Sequence, residues 1–155
     1  MRVAQFQYDA QPVPNRLHVR KDQKNHVWCG PAALSAALGI TTSKAYATIG
    51  LATLRKHIKG VSYAEMEHAL ALHHIKFKSV RFPREARACM TFNSWLITRD
   101  ENCTYIVCLT GHWITIRGNQ WACNMNLEGR HIGDCPFMGA KVRYTIRLHE
   151  KEAVS

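Results

Sequence analysis

One stretch restricts this chain more than any other: Gln23-Lys-Asn-His-Val-Trp-Cys29-Gly-Pro-Ala-Ala-Leu-Ser-Ala-Ala-Leu38-Gly39. Apolar residues at 33, 34, 37 and 38 recur at helical spacing, and Gly39 stands where a helix would stop. Pro31 fits the first turn, which has no intrahelical partner for a proline's missing N–H. A helix is therefore predicted from about Cys29 to about Leu38, with Cys29 at its N-terminus. Free N–H groups and the positive dipole end at such a place favour a thiolate, the reactive form of cysteine. A cysteine beside an Ala-rich helix is more often a small core residue, so position alone does not make it a nucleophile.

Composition narrows the rest. A chain of 155 residues is one domain, 1–155, and 46% apolar content suits a soluble globular protein. No apolar run approaches the ~18 residues of a membrane span. The opening Met1-Arg-Val-Ala-Gln-Phe-Gln-Tyr-Asp has no apolar core for a signal peptide, so a cytoplasmic monomer without a membrane partner is expected. The six cysteines (29, 89, 103, 108, 123 and 135) form no C-x2-C pair, and without an export signal no disulfide framework is expected. His73-His74 lacks a second ligand pair at zinc spacing, so neither metal nor cofactor is expected.

The net charge is +10, from 21 Lys+Arg against 11 Asp+Glu, which attracts acidic partners. Nucleic acid is one possibility. However, the basic residues are dispersed, and the densest cluster (Lys76, Lys78, Arg81, Arg84, Arg87) is interleaved with only two aromatics, Phe77 and Phe82. No nucleic-acid fold signature is present. A solvated basic face is the preferred reading.

Along the chain, Val3, Phe6, Tyr8 and then Leu17 and Val19 suggest short strands around Pro12 and Pro14. Thr42 or Ser43 caps a second helix, which Leu51–Ile58 continues until Gly60. Ser62 and Glu65 form a capping box for a third helix ending near His73. A strand runs from about Ile75 toward Pro83, and a short helix follows over 91–98. Residues 103–109 suit a central strand. His112–Arg117 and Gln120–Asn126 form a hairpin at Gly118-Asn119, 124–139 reads as loop, and Val142–Leu148 is a last strand. Helices first and strands last give an α+β fold with N-terminal helices packed on a C-terminal antiparallel sheet.

Two further features bear on Cys29. Gln23 lies six residues upstream on a polar segment, and Gly111-His112-Trp113 opens a strand with an Asn on the next. A side-chain amide, a cysteine at a helix start, then His and Asn in that order is the papain-type arrangement. On these residues the chain resembles papain-like cysteine peptidases. The double-glycine leader peptidases of bacteriocin exporters are the nearer likeness, and Josephin deubiquitinases a weaker one. The matching pieces are Gln23 through Leu34, the helices expected over Leu51–Lys59 and Tyr63–Leu72, Gly111-His112-Trp113-Ile114, and Trp121 through Asn126.

The resemblance implies a peptidase in which Cys29 attacks a carbonyl carbon and His112 protonates the leaving amine. Gln23 and the Cys29 backbone N–H would hold the oxyanion, and an amide would orient His112. Asn124 and Asn126 are both candidates for that amide. A two-residue turn puts Met125 opposite His112, a three-residue loop 117–119 puts Asn124 there, and a loop 118–120 puts Asn126 there. Asn124 is preferred, because the last loop asks Gln120 for positive φ. The leader peptidases carry Asp-Pro here, from which Asn-Met departs. The expected partner is a peptide or protein substrate. The alternatives are a non-catalytic module binding a peptide or nucleic acid on the same scaffold, and a Cys-His acyltransferase or amidase.

Overall fold

The computed structural model describes residues 16–85 and 89–149. The strand expected around Val3 and the basic Arg87 lie outside them. The described residues form an α+β fold of four α-helices and a six-stranded antiparallel sheet. The helices are α1 (Cys29–Leu38), α2 (Thr42–Thr53), α3 (Tyr63–Leu72) and α4 (Phe92–Thr98). The strands are β1 (Phe77–Arg81), β2 (Thr104–Leu109), β3 (His112–Arg117), β4 (Gln120–Cys123), β5 (Asn126–His131) and β6 (Val142–Leu148). The sheet order is β1-β6-β2-β3-β4-β5.

Local chemistry accounts for most boundaries. α1 ends where Gly39 turns left-handed at φ 70°, as a side-chain-free residue does at low cost. Ser62 and Glu65 make the expected reciprocal cap of α3. α2 is capped by Thr41 rather than Thr42 or Ser43, and it stops at Thr53 rather than near Gly60, because Leu54 turns left-handed at φ 59°. The turn beyond it is held from outside the helix: Arg55 bonds both the Gly60 carbonyl and the Glu65 carboxylate.

The sheet is covered on both faces. α1, α2 and α3 bury Ala33, Leu34, Ile49, Met66 and Leu70 against Ile106, Cys108, Trp113, Tyr144 and Ile146. α4 packs Phe92, Trp95 and Leu96 on the opposite face, over Val107, Leu109, Ile114, Ile116 and Trp121. Each large apolar side chain so buried contributes about 1.5–3 kcal/mol. Double coverage explains why the central β2 is buried at every position instead of alternating.

Two expectations about the C-terminal half are corrected. The 124–139 stretch is not all loop, since β5 occupies Asn126–His131, pairs with β4 and is followed by a short 3-10 turn. The segment 17–19 lies over β5: Val19 donates to Leu127, His18 bridges Glu128, and the Leu17 backbone leaves no room for a Cβ on Gly129. The β3–β4 hairpin has the two-residue turn, with Arg117 paired to Gln120 and only Gly118, not Asn119, at positive φ. The three-residue loop that favoured Asn124 does not form, so the choice between Asn124 and Asn126 rests on other grounds.

Candidate functional site

α1 and β3 run alongside each other with matched steps. The Thr115 hydroxyl donates to the Ala33 carbonyl at 2.7 Å, and the Arg117 guanidinium donates to the Ala37 carbonyl at 2.9 Å. Four helical residues rise about 6 Å, and two strand residues advance about 7 Å. One step further down, Cys29 stands level with Trp113, next to His112. The thiols around it agree. Cys108 is pushed up to about 12, first by burial and then by the charge of Cys29, while the His112 backbone N–H acts in the opposite direction. Cys123 is also raised, mainly by burial and partly by Cys29. Cys29, Cys108, Cys123 and His112 therefore gather at one end of the sheet.

Cys29 is the first residue of α1 and is partly exposed. Its helix start has no side-chain cap, and Pro31 offers no N–H, so the Cys29 and Gly30 amides have no side-chain partner among the described residues. Gly30 is buried where a Cβ would collide with the Val61 side chain, and the Val61 carbonyl accepts from the Trp113 indole at 3.0 Å. That close approach locks the helix start against the loop before α3. Trp28 is 40% exposed beside the cysteine, edge-on to the His26 ring at 4.9 Å, whereas Trp113 is core. All six cysteines are free thiols.

His112 opens β3 directly after Gly111, whose φ is 71°. Strand alternation puts its side chain on the α4 face with Ile114 and Ile116. Its ring sits 5.0 Å from that of Phe137, which also meets Trp121 edge-on at 5.8 Å. Burial holds the imidazole below its ordinary value. Among the described residues, Nε2 of His112 and Oδ1 of Asn124 are both buried without a hydrogen-bond partner, and so is Nε1 of Trp121. Asn124 and Met125 form the tight turn between Cys123 and Asn126, which are paired. The Asn126 carboxamide is already committed, donating to the Trp121 carbonyl at 3.3 Å.

Not every candidate converges. Among the described residues, no hydrogen bond joins Cys29 to His112, because the cysteine packs with the helix-face cluster while the imidazole leans over the other face. Gln23 is partly exposed, and no described contact seats it on Cys29. Its neighbour Asp22 is tied to Thr42 and Ser43 at the start of α2, bonds that hold its carboxyl below the usual range. Phe137, which flanks His112, was not singled out from the sequence, where it is one aromatic in a Gly- and Pro-rich run. No group of three or more His, Cys, Asp or Glu able to hold a metal occurs among the described residues. No helix among them is long and apolar enough to cross a membrane. Compared with known proteins, the chain matches no family model and no curated protein.

Proposed function

We propose that the chain is a cysteine peptidase of papain-like fold, hydrolysing a peptide or isopeptide bond. Cys29 is the nucleophile, His112 the acid–base group, Asn124 the residue that orients it, and Gln23 an oxyanion donor. The observation that carries this reading is the pair of partnerless buried groups at the sheet end where α1 begins. An imidazole nitrogen and a carboxamide oxygen, each buried, are complementary as donor and acceptor. Leaving each unpaired costs about 1–3 kcal/mol, so a rearrangement that joined them would be favourable.

In that arrangement His112, held neutral by burial, takes the Cys29 proton as the sulfur attacks the carbonyl carbon. The amides of Cys29 and Gly30 face the developing oxyanion, with the Gln23 carboxamide as a further donor. The imidazolium then protonates the leaving amine, and water hydrolyses the thioester.

Iodoacetamide at mildly acid pH tests the nucleophile. Exposure alone would label Cys29, Cys89 and Cys103 alike, since all three are partly exposed. Selective, fast alkylation of Cys29, with loss of turnover in step, is the expected result. Equal labelling of the three would remove the enzyme reading. The separation of Cys29 and His112 onto opposite sheet faces favours a second reading, a module that binds a peptide without cutting it. Fast labelling of Cys29 excludes it.

A further inference from the structure

We propose that the peptide taken by this site carries an acidic side chain about four residues from the bond that is cut, held by Arg81, Arg84 and Arg143. The inference rests on the peptidase reading and adds the substrate class.

The registers of β1, β6, β2 and β3 set a row of directly opposed residues across one end of the sheet. Trp113 faces Cys108, Cys108 faces Tyr144, and Tyr144 faces Arg81. The row starts at the level of Cys29 and ends at the last residue of β1. Three strand spacings cover about 14 Å, the length of about four residues of extended peptide. Tyr63 at the start of α3 lies above the row. It is edge-on to Trp113 at 6.0 Å and stacked on Tyr144 at 4.2 Å, with the Arg81 guanidinium 5.1 Å from its ring centre.

At the far end of the row opens a cavity of about 490 Å³, lined by Tyr63, Arg81, Pro83, Arg84, Glu85 and Arg143 among others. Three guanidinium groups there outnumber the carboxylates of Glu85 and of Glu67, the latter already bonded to the Tyr144 hydroxyl. None of the three arginines has an ion-pair partner among the described residues, although other arginines of the chain do. Arg81 is oriented by two aromatic rings, lying 5.8 Å from Tyr144 as well, and Arg143 reaches the Cys89 sulfur. Pre-oriented planar guanidiniums suit a carboxylate, which accepts two parallel N–H bonds. Up to Tyr144 the row is buried beneath Tyr63 and gives only the distance from Cys29; one cavity with three arginines at that distance suits a peptide side chain rather than a nucleic-acid backbone, which needs a charge track several phosphates long.

The test measures fluorescence anisotropy with the Cys29→Ala chain. The probes are short fluorescein-labelled peptides of Gly, Ala and Ser carrying either a Glu pair or a Gln pair. The Glu peptide is expected to bind about tenfold tighter or better, as charge-assisted bonds allow. Arg81→Gln with Arg143→Gln should remove that advantage, and Lys24→Gln with Lys59→Gln should keep it. Should the double variant melt early, Arg84→Gln alone, on an exposed loop, must still lower affinity for the Glu peptide. Equal binding of the two peptides would overturn the proposal, as would unchanged affinity in natively folded arginine variants. Tighter capture of oligo-dT by the same arginines would also overturn it. With the active chain, moving the Glu residue by residue should give the highest kcat/KM at four positions from the cut. Glu-selective binding with no peptide ever cleaved would support the arginine-lined cavity as a site for acidic side chains and remove the peptidase reading. Cleavage indifferent to Glu would do the reverse.

Discussion

The two faces of the sheet are built to different standards. On the helix face, polar groups that enter the interior are paired: Thr115 with Ala33, Arg117 with Ala37, and the Trp113 indole with Val61. On the α4 face and the turn beside it, the His112, Trp121 and Asn124 side chains each bury a polar atom with no hydrogen-bond partner among the described residues. Both faces have dense apolar packing, so burial alone does not separate them. The difference lies in polar pairing: the first face holds α1 in register, while the second leaves bonding capacity unspent among the described residues.

The sharpest way to break this comparison is at the nucleophile. Cys29→Ala should lower turnover by at least about 10⁴-fold, as loss of a nucleophile does, with little change in melting temperature. Intact turnover on a peptide substrate would end the assignment. Gln23→Ala should lower kcat by about 10²–10³ with KM nearly unchanged, if its amide meets the oxyanion. A defect confined to KM would make it a binding residue.

Asn124→Ala removes a buried acceptor that has no partner, so it should cost little stability while lowering kcat by about tenfold or more. Asn126→Ala, which breaks the bond to Trp121, should do the opposite. A kcat loss in Asn126→Ala alone would transfer the orienting role to it. Gly30→Ala probes the helix face. The new methyl meets the Val61 side chain, and a loss of about 1–3 kcal/mol in urea unfolding is expected.

The smallest effect is on pH dependence. The unfolded imidazole takes its proton near 6.5, and burial makes folded His112 take it at lower pH. Below that ordinary value the unfolded state therefore binds more protons, so stability falls as pH drops through it and levels off once the folded ring is also charged. His73, lowered by burial and by Lys44, works in the same direction. His112→Phe should make the acid limb of the urea midpoint shallower without abolishing it. An unchanged limb would show that the ring is not held neutral.

Where structure was written in local chemistry, the sequence was readable. The start of α1 at Cys29, its end at Gly39, the Ser62–Glu65 cap and the largely apolar β2 all follow from short-range patterns. The misses were set by distant contacts. β5 looked like loop because its stabilisation comes from segment 17–19 lying across it, over a hundred residues earlier in the chain. α2 stops at Thr53 because Leu54, an exposed residue with no breaker chemistry, turns left-handed, and Arg55 just beyond is held by Gly60 and Glu65. For the candidate site, the order of Gln, Cys, His and Asn was legible. The sheet face taken by His112 was not, since it depends on strand alternation from an origin that no motif marks. Likewise Phe137 reaches His112 only because the 132–140 segment folds back over the α4 face.

The matched steps of α1 and β3 also limit how this protein tolerates change in length. One residue added or removed between Cys29 and Ala33 would swing the thiol about 100° around the helix axis, away from the sheet end. Substitutions along that turn, Gly30 apart, can be absorbed by repacking, but indels cannot. Variation that survives here should be variation in side chains, with the count of residues from Cys29 to Ala37 kept constant.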